Sequence, residues 1–136
     1  MTSRTMPTDL NSPMQKILIV DDDHLVADTL SVIFERSGFA SEVSYSADEG
    51  LRSARRFLPD LLLCDICMPG RDGLSLIKNV SEEMPSCQIL VFTGSYARIQ
   101  HVKACTAELR RPVSLATKPC PPEELIRRAT QMLANA

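Results

Sequence analysis

The sequence lacks any apolar run long enough to span a membrane, and its first residues lack the apolar core of a secretory signal. Residues 1–15 are polar and include two prolines, so we interpret them as a flexible N-terminal leader before a folded domain at 16–136. The 136 residues of the chain give room for one domain of ordinary size. We therefore expect no membrane insertion and no second folded unit.

Charge of one sign is not in excess either, because 15 Lys and Arg residues balance 17 Asp and Glu residues. The net charge of -2 gives no general attraction to nucleic acid or acidic lipid, so we predict no direct nucleic-acid binding. The number of cysteines is odd, so they cannot all form disulfide bonds within the chain. The five cysteines lie mostly in apolar contexts, unlike a disulfide framework, and this pattern favours a reducing cytoplasm.

Short apolar or β-branched runs alternate along the chain with segments of helical period. The runs cover residues 16–20, 41–45, 60–64, 88–92 and 113–117. Three of them are continuously apolar from residues 17, 61 and 89 onwards, which is typical of parallel strands covered on both faces. The intervening segments carry apolar stripes at Val26, Leu30, Ile33 and Phe34, at Leu51 and Ala54, at Leu74, Ile77 and Val80, at Ile99, Val102 and Ala104, and at Leu125, Ile126, Ala129 and Leu133. This (βα)5 order predicts an α/β fold with a doubly wound sheet, whose ligands bind at the carboxyl ends of the strands.

Local signals mark several helix ends. Gly38 is placed to end the first helix, and Ser46 with Glu49 forms a capping box before the second. Pro122 opens the last helix, whereas Pro121 stands where a capping side chain is common and removes that cap.

Polar side chains follow four of the predicted strands where each one ends. They are Asp21, Asp22 and Asp23 after the first strand, Asp65 after the third, Thr93 after the fourth, and Lys118 after the fifth. Two carboxylates about 4 Å apart repel each other by roughly 4 kcal/mol near a protein surface, so a group of three requires a cation. Oxygen ligands favour Mg²⁺, or Mn²⁺, over zinc.

This set of residues suits phosphoryl chemistry. The Asp65 carboxylate can attack phosphorus, while a metal ion and the Lys118 ammonium neutralise the phosphoryl oxygens. The Thr93 hydroxyl can then donate a hydrogen bond to the attached group. An acid that ends a buried strand is held in place by its apolar neighbours, yet it stays open to an incoming phosphate.

Four motifs resemble the receiver domain of two-component response regulators: ILIVDDD, LLLCDICMPGRDG, VFTG and ATKP. The likeness runs from about residue 16 to residue 133. It implies a flavodoxin-like fold with five parallel strands in the order 2-1-3-4-5. It also implies a phosphorylation switch or phosphorelay carrier that catalyses only its own phosphorylation and dephosphorylation. The expected partners are a histidine kinase or histidine phosphotransfer protein and an unknown downstream protein.

The resemblance also assigns roles to single residues. Asp65 becomes the phosphoacceptor, and Asp21 and Asp22 join it at the metal site together with the backbone carbonyl of Cys67. Thr93 and Lys118 match the switch hydroxyl and the lysine of the family. The peptide between Lys118 and Pro119 is expected to be cis.

The chain departs from the family pattern near the fifth strand. Leu115 occupies the position, three residues before the lysine, where an aromatic residue or histidine is usual. We therefore hypothesise that phosphorylation is signalled without an aromatic gate.

Other interpretations remain open at this point. A phosphatase with an aspartyl nucleophile needs a second acid where Cys67 stands, and Asp21, Asp22 and Asp23 would repel the phosphate of a flavodoxin-like FMN protein. A receiver that binds partners without being phosphorylated is harder to dismiss. The spacing of Cys64 and Cys67 suggests a redox or zinc pair, but it straddles a strand end, so packing is the favoured explanation.

Overall fold

The computed structural model describes residues 14–66, 73–94, 96–109 and 113–135, in which five strands alternate with five helices. In chain order these are β1 (Lys16–Val20), α1 (His24–Arg36), β2 (Ala40–Ser44), α2 (Ala47–Phe57), β3 (Leu61–Cys64), α3 (Gly73–Glu83), β4 (Gln88–Thr93), α4 (Tyr96–Thr106), β5 (Ser114–Thr117) and α5 (Pro122–Ala134). The predicted α/β class and element order are confirmed. Across these ranges, no helix combines the length and the apolar character that crossing a membrane would require. The predicted leader falls almost entirely on residues 1–13, outside the described residues, and stays a prediction.

All strand pairs are parallel, and the sheet order is β2-β1-β3-β4-β5, as expected for a doubly wound flavodoxin-like fold. The register aligns the strand ends: Val20 pairs with Cys64, and Cys64 pairs with Val91. The residues that directly follow β1 and β3 are therefore neighbours at one edge of the sheet.

The central strands are buried on both faces because their successive side chains point to opposite sides. On one face, Leu18, Val20, Leu62, Cys64 and Val91 pack with α2 and α3. On the other face, Ile17, Ile19, Leu61, Leu63, Leu90 and Phe92 pack with α1 and α5. This double coverage is the physical reason for the continuously apolar runs in the sequence.

Most predicted helix ends are confirmed, with one difference in geometry. Gly38 has a φ of +99°, in the left-handed region that favours glycine after a helix. The Ser46 hydroxyl accepts a hydrogen bond from the Glu49 backbone N–H at 3.2 Å, as a capping box requires. The Glu49 carboxylate, however, accepts from the N–H of Tyr45 at 2.7 Å. Pro121 is the N-cap of α5 and provides no side-chain hydrogen bond there, as predicted.

The prediction for α4 is partly wrong. Ile99 and Val102 are buried as expected, but Ala104 is exposed. Thr106 takes the next buried position, where its hydroxyl donates to the Val102 carbonyl at 2.7 Å. A helical period of 3.6 residues carries the buried face from 99 through 102 to 106, and this places Ala104 on the outside.

Candidate functional site

Two aspartates lie side by side where the central strands end. Asp21, which is 2% exposed, follows β1, and its backbone N–H donates to the Ser44 carbonyl at 3.1 Å. Asp65, which is 6% exposed, follows β3, and its N–H donates to the Val20 carbonyl at 3.0 Å. Because the sheet ladder continues into both residues, the two carboxylates are held by the core.

Asp22 completes a group of three acids. It is exposed, and one carboxylate oxygen from each of Asp21, Asp22 and Asp65 lies within 4.8 Å of the others. Asp23 belongs to the same acidic run but has a different role, because it is the N-cap of α1 and its side chain accepts from the Val26 N–H at 3.2 Å. The position of Asp23 directly before a helical segment was the signal for this role.

Lys118 directly follows the edge strand β5, and its side chain reaches the acids at the ends of β1 and β3. Its Nζ lies 3.3 Å from Asp65 Oδ2 and 3.5 Å from Asp21 Oδ2. Its backbone N–H donates to the Thr93 carbonyl at 2.9 Å, which continues the pairing of β5 with β4. Thr93 is fully buried, and the peptide between Lys118 and Pro119 is cis, as predicted.

The electrostatics of this acidic pocket favour a cation. Burial is the main reason why the pKa of Asp21 is raised above its ordinary value, although the N–H of Asp23 and the charge of Lys118 act against this shift. Burial also lowers the pKa of Lys118, but the attraction of Asp65 and Asp21 outweighs it and leaves that pKa raised. Three carboxylates and one nearby ammonium leave negative charge in excess. The all-oxygen donor set fits Mg²⁺ or Mn²⁺.

The predicted metal ligand at the Cys67 carbonyl lies outside the described residues. Cys64 is fully buried, and burial raises the pKa of its thiol well above the ordinary value. It is one of four free cysteines in the described ranges. For Cys64, the expectation of a packing role is confirmed.

Comparison with known families identifies the fold family. The model for the response regulator receiver domain matches residues 17–130. The chain belongs to this family. A receiver domain is a signalling module, so the phosphatase and FMN-protein interpretations are no longer favoured.

Relatives differ widely in how much of their length the receiver domain covers. An uncharacterized 14.6 kDa protein of Leptolyngbya boryana is 38% identical over 118 residues, which are 85% of this chain and 87% of that protein. The transcriptional regulatory protein YesN of Bacillus subtilis is 29% identical over 125 residues, 90% of this chain but 33% of that protein. The transcriptional activator PfeR of Pseudomonas aeruginosa is 30% identical, and the match covers 88% of this chain and 40% of that protein. The chain therefore spans well under half of several curated relatives.

Solved structures support the same architecture. The CheY-like receiver domain of Methanospirillum hungatei superposes with a TM-score of 0.81 at 27% identity, covering 90% of this chain and 96% of that chain. A response regulator structure from Chloroflexus aurantiacus reaches a TM-score of 0.75 at 31% identity, covering 90% of this chain and 99% of that chain.

An apolar groove adjoins the acidic pocket of the receiver domain. It has a volume of about 540 Å³ and lies between α1, the end of β4, and the segment from Lys118 into α5. Leu25 at its rim is 77% exposed. Phe92 forms part of its wall, with the ring centroid 4.9 Å from Lys118 Nζ, a distance typical of a cation–π contact. From the sequence, Phe92 was predicted only to be part of a strand. Its contact with Lys118 was not predicted, because that contact depends on the tertiary fold.

Proposed function

We propose that this receiver domain accepts a phosphoryl group on Asp65 in a Mg²⁺-dependent reaction, and that the phosphorylated form switches protein–protein interactions or passes the group on. The observation that carries the proposal is the placement of Asp65. Its carboxylate is almost completely buried, yet it lies within reach of the Lys118 ammonium and the carboxylates of Asp21 and Asp22. The Lys118 ammonium, together with a cation held by the Asp21 and Asp22 carboxylates, would balance the negative charge of an incoming phosphate.

The metal-binding residues in this proposal are Asp21, Asp22 and Asp65, with the Cys67 carbonyl as a further predicted ligand. Their donor atoms are oxygens, and their number leaves coordination positions for water and a phosphate oxygen, as is usual for Mg²⁺ in proteins. A bound Mg²⁺ or Mn²⁺ ion would supply positive charge that offsets the three carboxylates and the phosphoryl oxygens.

Asp65, Lys118 and Thr93 each have a separate role in the proposed reaction. An Asp65 oxygen forms a bond to phosphorus while the bond from phosphorus to the donor's imidazole nitrogen breaks, and the bonding pair returns to that nitrogen. Lys118, whose raised pKa keeps it charged, neutralises the phosphoryl oxygens. The Thr93 hydroxyl donates to the phosphoryl group once it is attached. The new charge, about -1.5 to -2, draws both groups towards Asp65.

The proposed donor is a histidine kinase or a histidine phosphotransfer protein. A donor must bring its phosphorylated imidazole to Asp65, so it has to cover the surface around the acidic pocket. The apolar groove and the exposed Leu25 give such a protein a hydrophobic contact directly beside Lys118. We place this exchange in the cytoplasm, where the free cysteines of the described residues stay reduced.

Intact-mass measurement tests the proposal. The purified domain is incubated with acetyl phosphate and Mg²⁺, and we expect the wild type to gain the mass of one phosphoryl group. Asp65→Asn should gain nothing. Asp23→Asn is the matched control, because this acid lies in the same run but caps α1, and asparagine caps equally well. A wild type without the added mass would refute phosphorylation and favour a receiver-like scaffold that binds its partners unmodified.

A further inference from the structure

The Lys118 ammonium contacts an aromatic ring as well as two carboxylates. Its Nζ lies over the ring of Phe92, 4.9 Å from the ring centroid. The face of an aromatic ring is negative and attracts a cation within about 6 Å of the centroid. Phe92 is 7% exposed, and such attraction is stronger where water is excluded than at an exposed site. The ring is therefore a third attractive contact for the ammonium.

The two carboxylate contacts of Lys118 are long for a pair of charged groups. Its Nζ lies 3.3 Å from Asp65 Oδ2 and 3.5 Å from Asp21 Oδ2, whereas charge-assisted hydrogen bonds are usually about 2.7–2.9 Å long. The Lys118 side chain is also 31% exposed, and its four-carbon stem is flexible. The carboxylates alone would therefore fix the ammonium only loosely.

The ring, in contrast, is held by the core. Phe92 lies on β4 and pairs with Ala116 of β5, and its side chain packs in the same core cluster as Ala116 and Leu125. Lys118 follows β5, and its N–H donates to the Thr93 carbonyl at 2.9 Å. The backbone thus brings the lysine to a ring that packing holds in place. The ring restrains the ammonium because the ring is the less mobile of the two groups.

We propose that Phe92 is a positioning residue for the phosphoryl chemistry at Asp65. Its aromatic face holds the Lys118 ammonium beside the acidic pocket, where the ammonium meets the oxygens of an incoming phosphate. Phe92 acts through Lys118 and takes no part in making or breaking bonds. This role rests on the proposed function above, because it belongs to the same reaction.

Matched variants separate positioning from simple packing. Phe92→Leu keeps an apolar side chain in the core but removes the aromatic face, whereas Phe92→Tyr retains that face. Phe39→Leu is the control, because Phe39 is also 7% exposed and belongs to the same core cluster. Phe39 precedes β2, at the opposite end of the sheet from the acidic pocket, and its ring contacts Phe34. Its replacement should therefore affect packing alone.

NMR of the chain labelled with ¹³C at the lysine ε-carbons measures the position of the lysine directly. Protons above an aromatic face are shifted upfield by the ring current. We expect an upfield ε-CH₂ signal in the wild type, assigned by its loss in Lys118→Arg. The signal should move downfield in Phe92→Leu and should stay in place in Phe92→Tyr and Phe39→Leu.

The rate of phosphorylation by acetyl phosphate, followed by intact mass with saturating Mg²⁺, provides the second measurement. Phe92→Leu should lower the rate constant about threefold to fivefold, the size expected for one cation–π contact. Phe92→Tyr should restore the rate, and Phe39→Leu should react like the wild type. Circular dichroism and urea unfolding check that every variant folds.

Several results would overturn the role of Phe92. They are an upfield lysine signal that persists in Phe92→Leu, a wild-type rate in that variant, or an equal loss of rate in Phe39→Leu. A wild type that takes up no phosphoryl group would refute the proposed function instead. The lysine signal would then decide alone whether Phe92 holds Lys118 in place.

Discussion

The two halves of the acidic pocket are built on strands of very different character. β1 and β3, which lead into Asp21 and Asp65, lie inside the sheet and are buried along nearly their whole length. β5, which leads into Lys118, is an edge strand with one buried residue, Ala116, among its four. The carboxylates are thus fixed by the hydrophobic core, whereas the ammonium is fixed by a few individual contacts.

Those contacts can be named. The Lys118 N–H bonds to the Thr93 carbonyl, and the Lys118 ammonium lies over the Phe92 ring. The guanidinium of Arg128 on α5 donates to the Leu115 carbonyl in β5. We call the part built on β1 and β3 the central side and the part built on β5 the edge side. Substitutions on the central side should lower the stability of the whole fold. Substitutions on the edge side should mainly change the position of Lys118.

The largest expected effect is on the central side, at the start of α3. A Cβ at Gly73 would lie 2.7 Å from the Ile66 Cα and 2.9 Å from the Asp65 carbonyl oxygen, which are backbone atoms that cannot turn away. We expect Gly73→Ala to lower the free energy of unfolding by about 3 kcal/mol, as overpacked substitutions do. Gly94→Ala is the control on the edge side, because among the described residues its Cβ would meet only the Lys118 Cβ, at 3.6 Å. Equal losses for both variants in urea unfolding would remove the distinction between the two sides.

A smaller effect is expected at the contact between α5 and β5. Arg128→Met removes the hydrogen bond to the Leu115 carbonyl, and we expect it to lower the free energy of unfolding by about 1 kcal/mol. Arg127→Met is the matched neighbour. Arg127 is exposed and pairs with Glu124 on the same helix, so its loss should be smaller. Urea unfolding of both variants measures the difference, and a larger loss for Arg127→Met would contradict the proposed anchoring of β5.

The acids of the central side should make stability depend on pH when no metal is present. Because the folded state raises the pKa of Asp21 above its ordinary 3.8, folding favours the protonated form. Stability from this group is therefore present below pH 3.8 and is lost as the pH rises through the raised value. Asp21→Asn removes this dependence, so the variant should be more stable than the wild type at pH 7. The gain in free energy of unfolding should be smaller than the loss expected for Arg128→Met. Unfolding in a metal chelator, from acid to neutral pH, would show an advantage that grows with pH, and a constant difference would contradict the explanation.

The smallest effect is expected at Leu115 on the edge strand. If phosphorylation is signalled without an aromatic gate, Leu115→Tyr and Leu115→Ala should change partner binding by the phosphorylated form a few-fold while phosphorylation itself stays unchanged. Pull-down with the phosphorylated variants, compared with Asp65→Asn, provides the measurement. If neither substitution alters binding, the position has no part in signalling.

The same contrast explains which features were predictable from the sequence. The central strands were predicted closely because burial on both faces requires continuously apolar runs, and the strand ends then place Asp21, Asp65 and Lys118 at one edge. Local chemistry was sufficient for the caps at Ser46 and Gly38.

Other features depend on tertiary packing that a sequence pattern does not contain. The position of Asp23 before a helical segment pointed to a cap, but only the structure shows that its side chain bonds to the Val26 N–H and does not join the group of Asp21, Asp22 and Asp65. From the weak apolar pattern of α4 we predicted that Ala104 is buried. The helical period buries Thr106 instead, and its hydroxyl tolerates burial because it bonds to the Val102 carbonyl in the preceding turn. The contact of Phe92 with Lys118 joins a residue of β4 to the residue that follows β5, and neither segment predicts it from its own sequence.

The central claim is that Asp21, Asp22 and Asp65 form one cation site beside Lys118. Amide NMR with Mn²⁺ tests it most directly, because this paramagnetic ion broadens the signals of nearby residues and prefers oxygen ligands. We predict that small amounts of Mn²⁺ erase the signals of residues 20–23, 65–66 and 118 first, and that excess Mg²⁺ restores them. Broadening that is uniform, centred elsewhere or unchanged in Asp65→Asn would contradict the account.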